Sequence, residues 1–253
     1  MSSDDILQPL ILENWHLLAE SLKKNWPSNV QVTYYCLVIF APEEFEDLLF
    51  RAVTETKFIN WNKDVCFAAV QSRLIPITYY IVEYLKANKG VEIKWNESGK
   101  CLFKPKEECI VFEERIPEDC YLKELDETHV PLIHSVWPLR STFDEKLTYQ
   151  HVLKMIQFNK GLGLFSKSTN QLLSWASQSE FGAISFVQTV ESCRRRGYAK
   201  IVANSLANKL AIEGTDSFVF INDQNHNSEI MFKSWNFKHV QGYSWMGMHK
   251  KEL

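Results

Sequence analysis

The stretch with the clearest chemical potential lies between Val187 and Lys200. Three consecutive arginines, at positions 194–196, precede Gly197 in it. Guanidinium groups bind phosphate oxygens in bidentate pairs, and a glycine has no Cβ, so its backbone can approach a phosphate closely. These residue types in this order predict an anion site, for which a pyrophosphate is the natural ligand. The alternative is a solvated basic loop, because basic triplets are common on protein surfaces.

The elements predicted around this stretch support the anion site. A strand ends at Val190, a short loop follows, and a helix begins at about Gly197 and ends at Gly214. The buried face of that helix is formed by Tyr198, Ile201, Val202, Leu206 and Leu210. A helix N-terminus carries four unpaired N–H groups and a partial positive charge, so it attracts anions before any side chain is counted. The order strand, loop, helix therefore favours the phosphate site over the basic surface loop.

The same residues resemble the pyrophosphate loop of the GCN5-related N-acetyltransferase (GNAT) superfamily. That loop follows the pattern Arg/Gln-x-x-Gly-x-Gly/Ala, which Arg194, Gly197 and Ala199 match here. The superfamily continues with a strand, an asparagine, a helix and an aromatic residue. In this chain the asparagine is Asn225 and the aromatic residue is Phe237, with the spacing expected.

One position in the downstream match departs from the superfamily pattern. The residue before the aromatic one is usually glycine, and here it is Asn236. Asparagine also tolerates left-handed backbone, so the exchange is compatible with the pattern. The segment from Leu125 to His129, followed by Trp137, is similar to the glycine N-acyltransferase-like branch, which includes related insect proteins.

The resemblance implies a fold and a domain organisation. It covers residues 119–253 well and residues 1–118 only in layout. It implies an α/β (α+β) protein of two tandem GNAT-like units, with a mixed, mostly antiparallel central sheet flanked by helices. Residues 1–118 would form a degenerate N-terminal unit and residues 119–253 the catalytic unit, in which the fourth strand carries a bulge and splays from the fifth.

The resemblance also implies a binding site for acetyl-CoA or a longer acyl-CoA as co-substrate, and no metal. The pantetheine arm would bind in the opening between the splayed strands, against backbone groups that the bulge frees. The residues that would contact the CoA are Val187, Gln188, Thr189, Arg194, Arg195, Arg196, Gly197, Tyr198, Ala199, Lys200, Asn225 and Ser228. A backbone N–H near Gln188 would polarise the thioester carbonyl. For Asn225 the alternative is a helix N-cap.

At the position of the general base, the chain departs from the family pattern. Relatives that conjugate glycine carry a glutamate on the fourth strand, and that position is Ala183. Glu180 lies three residues earlier and could accept the proton of the amine. The alternative is a solvated carboxylate in the turn at 178–180. We list Glu180, Gln188 and His226 as candidate catalytic residues.

The general acid is also missing from its usual place. The superfamily often has a tyrosine on the helix after Asn225, and here that residue is Phe232. His226 and Asp223 are substitutes by position, although a lone histidine is more often structural. Cys193 lies beside the arginines, which would lower the pKa of its thiol. An acyl-cysteine is conceivable there, but a small loop residue is the simpler interpretation.

Composition narrows the functional class. The chain has 253 residues, 45% hydrophobic and 23% charged, with six cysteines and no CxxC pair. Residues 1–118 carry 13 basic and 18 acidic residues, a net charge of −5, and residues 119–253 carry 15 and 13, a net charge of +2. This excludes the basic stripe of a nucleic-acid binder. With no long apolar run and no leader, we expect a cytoplasmic protein without a membrane partner, as a monomer or weak homodimer.

Three functions remain open at this point. The first is an acyl-CoA-dependent N-acyltransferase that acts on glycine, another amino acid or a small amine. The second is an acyl-CoA-binding or interaction module that has lost its chemistry, which Ala183 and Phe232 favour. The third is a protein N-acetyltransferase, which would need an open groove for a peptide.

Hydrophobic periodicity predicts the remaining elements. Helices are expected over 6–24, from 42 onward, and over 75–87, 127–137 and 144–158. Strands are expected over 30–40, 65–70, 121–125, 161–165, 172–177 and 181–190. Two hairpins are also expected, one pairing 91–95 with 100–104 and one at the C-terminus.

Overall fold

The structure is a computed structural model that describes residues 35–41, 46–110, 115–141 and 145–251. The helix predicted over 6–24 and the first residues of the strand predicted over 30–40 lie outside the described residues. The strands are β1 (Tyr35–Leu37), β2 (Val65–Gln71), β3 (Val91–Lys104), β4 (Cys120–Glu124), β5 (Gly161–Ser166), β6 (Leu172–Gln178), β7 (Ile184–Thr189), β8 (Ser217–Asn222) and β9 (Lys238–Lys250). The helices are α1 (Glu46–Glu55), α2 (Ile75–Lys89), α3 (Lys106–Ile110), α4 (Val130–Val136), α5 (Glu145–Phe158), α6 (Tyr198–Ile212) and α7 (His226–Ser234).

The strands form two sheets. The four-stranded sheet has the order β4–β5–β6–β7, and every pair in it is antiparallel. The five-stranded sheet has the order β1–β2–β9–β3–β8, in which only β1 and β2 are parallel. The fold is therefore the mixed, mostly antiparallel α/β arrangement that the sequence predicts.

Both predicted hairpins are wrong, and for the same reason. β3 runs unbroken through the residues interpreted as a turn, and β9 is likewise a single strand. The two long strands pair with each other, from Val91 opposite Lys250 to Phe103 opposite Lys238. Gly99 does not turn the chain. It lets the strands approach, since a Cβ there would lie 2.3 Å from the Ile221 carbonyl oxygen.

Helix α6 is the centre of the largest core. Its apolar face packs on β5, β6 and β7, and the cluster also includes Leu102 of β3 and Cys109 of α3. The Asn208 side chain of α6 donates to the Cys109 carbonyl at 3.2 Å. Residues from both sides of position 118 therefore share one core, and β1–β3 share a sheet with β8 and β9. The domain boundary at 118 stays a prediction.

Two parts of the chain have the same local design. β2 carries a bulge at Ala69, with φ of 50°, and leads through a short 3₁₀ turn into α2. β7 carries a bulge at Phe186, with φ of 52°, and leads through a short 3₁₀ turn toward α6. This repetition is the tandem arrangement that was expected.

The two repeats differ in what lies beside the bulged strand. In the first, β9 lies between β2 and the next strand, β3. In the second, no described strand lies between β7 and the next strand, β8, and these two belong to different sheets. The splayed strand pair predicted for the C-terminal unit is therefore confirmed. We call the space between these strands the β7–β8 gap.

Candidate functional site

The β7–β8 gap is closed at the beginning of β7. The Phe181 ring, just before β7, lies 6.4 Å from Phe220 of β8 and 5.0 Å from Trp245 of β9. Further along β7, residues 185 to 190 are only partly buried. The strands therefore meet at an aromatic contact and expose more of β7 toward its end, near α6.

The register of β7 shows which peptide groups face the gap. Gln188 lies opposite Trp175 of β6, and the Ser174 hydroxyl donates to the Gln188 carbonyl at 2.8 Å. The peptide groups of Gln188 are therefore directed to β6. Because successive residues of a strand direct their peptide groups to opposite sides, those of Thr189 and Val187 point away from β6. Of the three predicted β7 residues, Val187 and Thr189 offer backbone groups to the gap.

The N-terminus of α6 lies beyond the end of β7. Gly197 precedes the helix with φ of 79°, in the left-handed region. The first helical hydrogen bond runs from the Ile201 N–H to the Gly197 carbonyl at 3.2 Å, so the N–H groups of Tyr198 and Ala199 precede the helical ladder. A Cβ on Gly197 would find no atom within 4 Å. Glycine is therefore favoured here by the left-handed backbone, and the space beside it is open.

The three arginines differ in their partners. Arg194 pairs with Glu191 at 2.7 Å on the surface. Arg196 hydrogen-bonds Tyr198, which raises the pKa of the guanidinium. Arg195 has a left-handed backbone, with φ of 65°, and an exposed side chain. All three guanidinium groups lie in the loop before α6, and their positive charge adds to that of the helix N-terminus.

Glu180 is not the solvated turn carboxylate that was the alternative. Its side chain is 9% exposed. Burial raises the pKa of the carboxyl group to about 7, because the charged form is poorly solvated there. A carboxyl group with a pKa near neutrality can accept and return a proton at physiological pH.

His151 of α5 is the residue that the sequence reasoning missed. Its Nε2 lies 4.0 Å from Oε2 of Glu180. Burial lowers the pKa of the imidazole to about 4, so the ring is neutral near pH 7. Trp137 stacks on the ring at 5.9 Å and Phe186 lies 6.1 Å away. No local pattern points to this residue, since it meets Glu180 across 29 positions of the chain.

The residues after β8 are placed as follows. The Asn225 side chain accepts a hydrogen bond from the Ser228 N–H at 3.2 Å and caps α7. The capping alternative therefore describes the geometry, and the exposed amide nitrogen of Asn225 is the part that a ligand could meet. Asp223 accepts a hydrogen bond from Ser98 at 2.8 Å. His226 is exposed at the first position of α7. The described part of the chain shows no contact between His226 and Glu180.

The two departures from the family pattern are both buried. Ala183 is 2% exposed, and Phe232 is 4% exposed. The Phe232 ring packs against Trp235 and Phe237 at 5.0 and 5.2 Å. Asn236 has φ of 68°, which is the left-handed backbone expected where the superfamily has glycine. Cys193 lies at the end of the 3₁₀ turn after β7, partly buried.

The segment compared with the glycine N-acyltransferase-like branch has a structural role. Asp126 accepts from the Thr128 N–H at 3.0 Å, and His129 Nδ1 accepts from the Asp126 N–H at 3.0 Å. This reciprocal pair is a capping box that begins the turn before α4. The hydrogen bonds from Thr128 are the main cause of the lowered pKa of Asp126. Such a motif carries no evidence of glycine as acceptor.

Two further observations concern metals and membranes. Within residues 35–41, 46–110, 115–141 and 145–251, no group of three histidine, cysteine or acidic side chains is arranged to hold a metal ion. Among the helices of the described part, none combines the length and the apolar character that crossing a bilayer requires.

Comparison with known proteins gives one family match and supports the fold. The family model of FR47-like proteins matches residues 161–246, less than half of the chain. A crystal structure of a Drosophila protein superposes with a TM-score of 0.73 at 18% identity, covering 86% of this chain and 71% of the other. A GNAT-family acetyltransferase of Colwellia psychrerythraea superposes with a TM-score of 0.52 at 12% identity, covering 96% and 98%. No curated protein matches the chain.

Proposed function

We propose that this chain, which has the fold of the GCN5-related N-acetyltransferases, is an enzyme that transfers an acyl group from a coenzyme A thioester to an amine. The observation that carries the proposal is the β7–β8 gap. Strand β7 borders this gap, and Glu180, a buried carboxyl with a pKa near 7, lies four residues before its start, whereas the loop to the N-terminus of α6, suited to an anion, follows its end. Acyl-CoA carries a diphosphate at one end and a thioester at the other. Its binding site therefore needs an anion site for the diphosphate and a proton acceptor near the thioester.

The chain's own groups suggest how acyl-CoA would be held. The diphosphate would accept hydrogen bonds from the N–H groups of Tyr198 and Ala199 and charge from the arginines of the preceding loop. The open space at Gly197 fits this, because a side chain there would project into it. The pantetheine amides would pair with the Val187 carbonyl and with the peptide groups of Thr189, which face the gap.

The reaction is an attack of the amine nitrogen on the thioester carbon. A bond forms between nitrogen and carbon, the bond between carbon and sulfur breaks, and CoA leaves as a thiolate that takes up a proton. Glu180 would accept the proton that the amine loses. The N–H of Val187, which is adjacent to Gln188, would stabilise the oxyanion of the tetrahedral intermediate.

The acceptor that we propose is a small amine, with glycine or another amino acid as one possibility within that class. His151 lies 4.0 Å from Glu180, and the rings of Trp137 and Phe186 pack on His151, so these aromatic side chains would border a small acceptor. Positioning the amine beside the thioester can by itself supply about 7–11 kcal/mol of barrier reduction. An enzyme without the tyrosine of its relatives can therefore still work.

The residue at the usual position of the general acid favours a second function. Phe232 occupies the usual place of the acid and is buried among Trp235 and Phe237. With Ala183 also in the core, neither usual catalytic position carries a titratable group. A module that binds acyl-CoA without turnover is therefore the alternative.

The test is release of free CoA thiol. The protein is incubated with acetyl-CoA and with longer acyl-CoAs, each with a panel of small amines and amino acids. We expect amine-dependent release, and Glu180→Gln should lower the rate about 100-fold with little change in CoA affinity. Binding without release in every mixture supports the alternative module, and absence of CoA binding contradicts both functions. A Glu180→Gln rate equal to that of the wild type removes Glu180 from the mechanism.

A further inference from the structure

Glu180 and His151 form a buried pair of titratable side chains. The Glu180 side chain is 9% exposed and the His151 side chain 12%, and 4.0 Å separates Oε2 from Nε2. This distance is about 1 Å longer than a hydrogen bond, so a small movement of the carboxyl group closes it. The described residues contain no lysine or arginine in ion-pair contact with Glu180.

The imidazole is held in place by neighbouring rings. Trp137, just after α4, stacks on it with an interplanar angle of 20°. Phe186, at the bulge of β7, contacts Trp137 at 5.1 Å and the imidazole at 6.1 Å. The strained backbone that shapes the β7–β8 gap therefore also places a ring against His151.

The burial of the other ring nitrogen selects one tautomer. Nδ1 of His151 is buried and has no hydrogen-bond partner among the described residues. A buried N–H without an acceptor costs about 1–3 kcal/mol, so a proton on Nδ1 is disfavoured. The neutral ring is best accommodated with its proton on Nε2, which is the nitrogen that faces Glu180.

We propose that His151 is a positioning residue: its Nε2–H is directed at the ionised Glu180 carboxylate, holding the oxygen that receives the amine proton and favouring its charged form. This inference rests on the proposed function, because it assigns Glu180 as the base. His151 itself neither gains nor loses a proton in the step. The proton from the amine goes to Glu180 and then to solvent.

Within the described part of the chain, a thiol is the second titratable group that interacts with Glu180. Cys66 of β2 interacts electrostatically with Glu180, and a hydrogen bond with Cys36 of β1 together with burial raises the pKa of the Cys66 thiol. Cys66 is therefore neutral over the pH range in which Glu180 titrates. Burial is the main cause of the raised pKa of Glu180, and the effect of His151 on its charge can be tested separately.

The tautomer can be tested in the unmodified protein. ¹⁵N NMR of the histidine rings distinguishes Nε2–H from Nδ1–H, with His151 assigned by its loss in His151→Phe or His151→Gln. We expect the Nε2–H form at pH 7. The Nδ1–H form, or a charged ring, overturns the proposal whatever the variants do.

The effect on Glu180 is tested with two matched variants that need no turnover. His151→Phe keeps a ring for Trp137 and removes the donor, whereas His151→Gln keeps an N–H near the position of Nε2. Glu180 is titrated by ¹³C NMR of its carboxyl carbon, assigned with Glu180→Gln. We expect the titration midpoint to move upward by about one pH unit in His151→Phe and to stay near the wild-type value in His151→Gln. No shift in His151→Phe, or an equal shift in both, overturns the proposal.

The activity profile separates this inference from the proposed function. If amines are acylated, the acid limb of kcat/KM should move upward by the same amount in His151→Phe, with unchanged CoA affinity. A limb that stays in place while the carboxyl titration moves shows that Glu180 is not the base, so the proposed role of Glu180 fails while the pair stands. A carboxyl titration that does not move contradicts the pair even in an active enzyme.

Discussion

A single glutamate changes its chemistry through burial. A carboxyl group at a turn is ordinarily hydrated and ionised well below neutral pH. Glu180 lies within such a turn, yet it lies against α5 and faces Cys66 of β2. Loss of water raises the pKa of the group to about 7, which gives it the proton affinity that a base at neutral pH needs.

The same burial has a cost in stability that can be measured. The pKa of Glu180 is higher in the folded than in the unfolded chain, so the folded state holds this proton more tightly, and stability falls as pH rises from about 4.5 to 7. We expect Glu180→Gln to remove this loss and to be more stable than the wild type by up to about 3 kcal/mol at pH 8. Urea unfolding at a series of pH values measures it. Parallel curves for the two proteins would contradict the raised pKa.

Residue-scale predictions from the sequence succeed where the cause is local. The left-handed backbone expected at Asn236 is present. The sequence does not show whether the Glu180 carboxyl is buried or solvated, because its neighbours come from distant segments of the chain. His151 was missed for the same reason: a histidine in an amphipathic helix gives no local sign of its partner.

At the scale of single elements, α6 offers a matched comparison between its two ends. Gly197 and Gly214 both have left-handed φ, 79° and 85°, and a Cβ on either meets open space. Valine at either position should cost about 1–2 kcal/mol of stability through the backbone. Only Gly197→Val should weaken acyl-CoA binding, by more than tenfold, because only that end faces the proposed diphosphate site.

Isothermal titration with CoA and thermal unfolding measure the two effects separately. Gly214→Val serves as the control for backbone strain without proximity to the site. Equal CoA affinity in both variants would show that the N-terminus of α6 does not bind the carrier.

The long strands β3 and β9 depend on another glycine. Gly247 of β9 lies opposite Trp95 of β3, and a Cβ there would overlap the indole ring, 2.1 Å from Nε1. Gly247→Ala should therefore destabilise the protein by about 1–3 kcal/mol. In a Trp95→Leu background the same change should cost less, giving a coupling energy in a double-mutant cycle. Additive effects in urea unfolding would show that the ring moves aside without cost.

The misprediction of the two hairpins belongs to this scale. Asn96 and Gly99 have turn-forming types, and the segments on either side have strand character, so a hairpin is the simplest local solution. The alternative partner for each segment lies more than a hundred residues away. Strand existence could be predicted from local pattern, but pairing could not.

At the scale of the whole molecule, the two halves share both a sheet and a core. β3 lies between β8 and β9, and β9 lies between β2 and β3. Leu102 and Cys109 are buried with α6 residues such as Leu206. Superposition on a GNAT-family acetyltransferase over nearly the full length of both chains agrees with one shared architecture.

Division of the chain at the predicted boundary should therefore prevent folding. Residues 119–253 alone would leave β8 and β9 without β3 and would expose the part of the α6 core that Leu102 and Cys109 cover. We expect poor NMR signal dispersion and no cooperative unfolding for this fragment, with recovery when residues 1–118 are co-expressed. A fragment that unfolds cooperatively on its own would show that the halves are independent.

The position of β9 has a consequence for stoichiometry. In the first repeat, β9 pairs with the bulged strand β2 and fills the space between β2 and β3. In the second repeat, the corresponding space between β7 and β8 contains no described strand. The helix that follows this bulged strand, α2, also begins directly after its 3₁₀ turn, next to a fully buried Leu74 and with no arginine-rich segment before it. Although the chain contains two bulged strands of this kind, we therefore expect it to bind one molecule of acyl-CoA per chain.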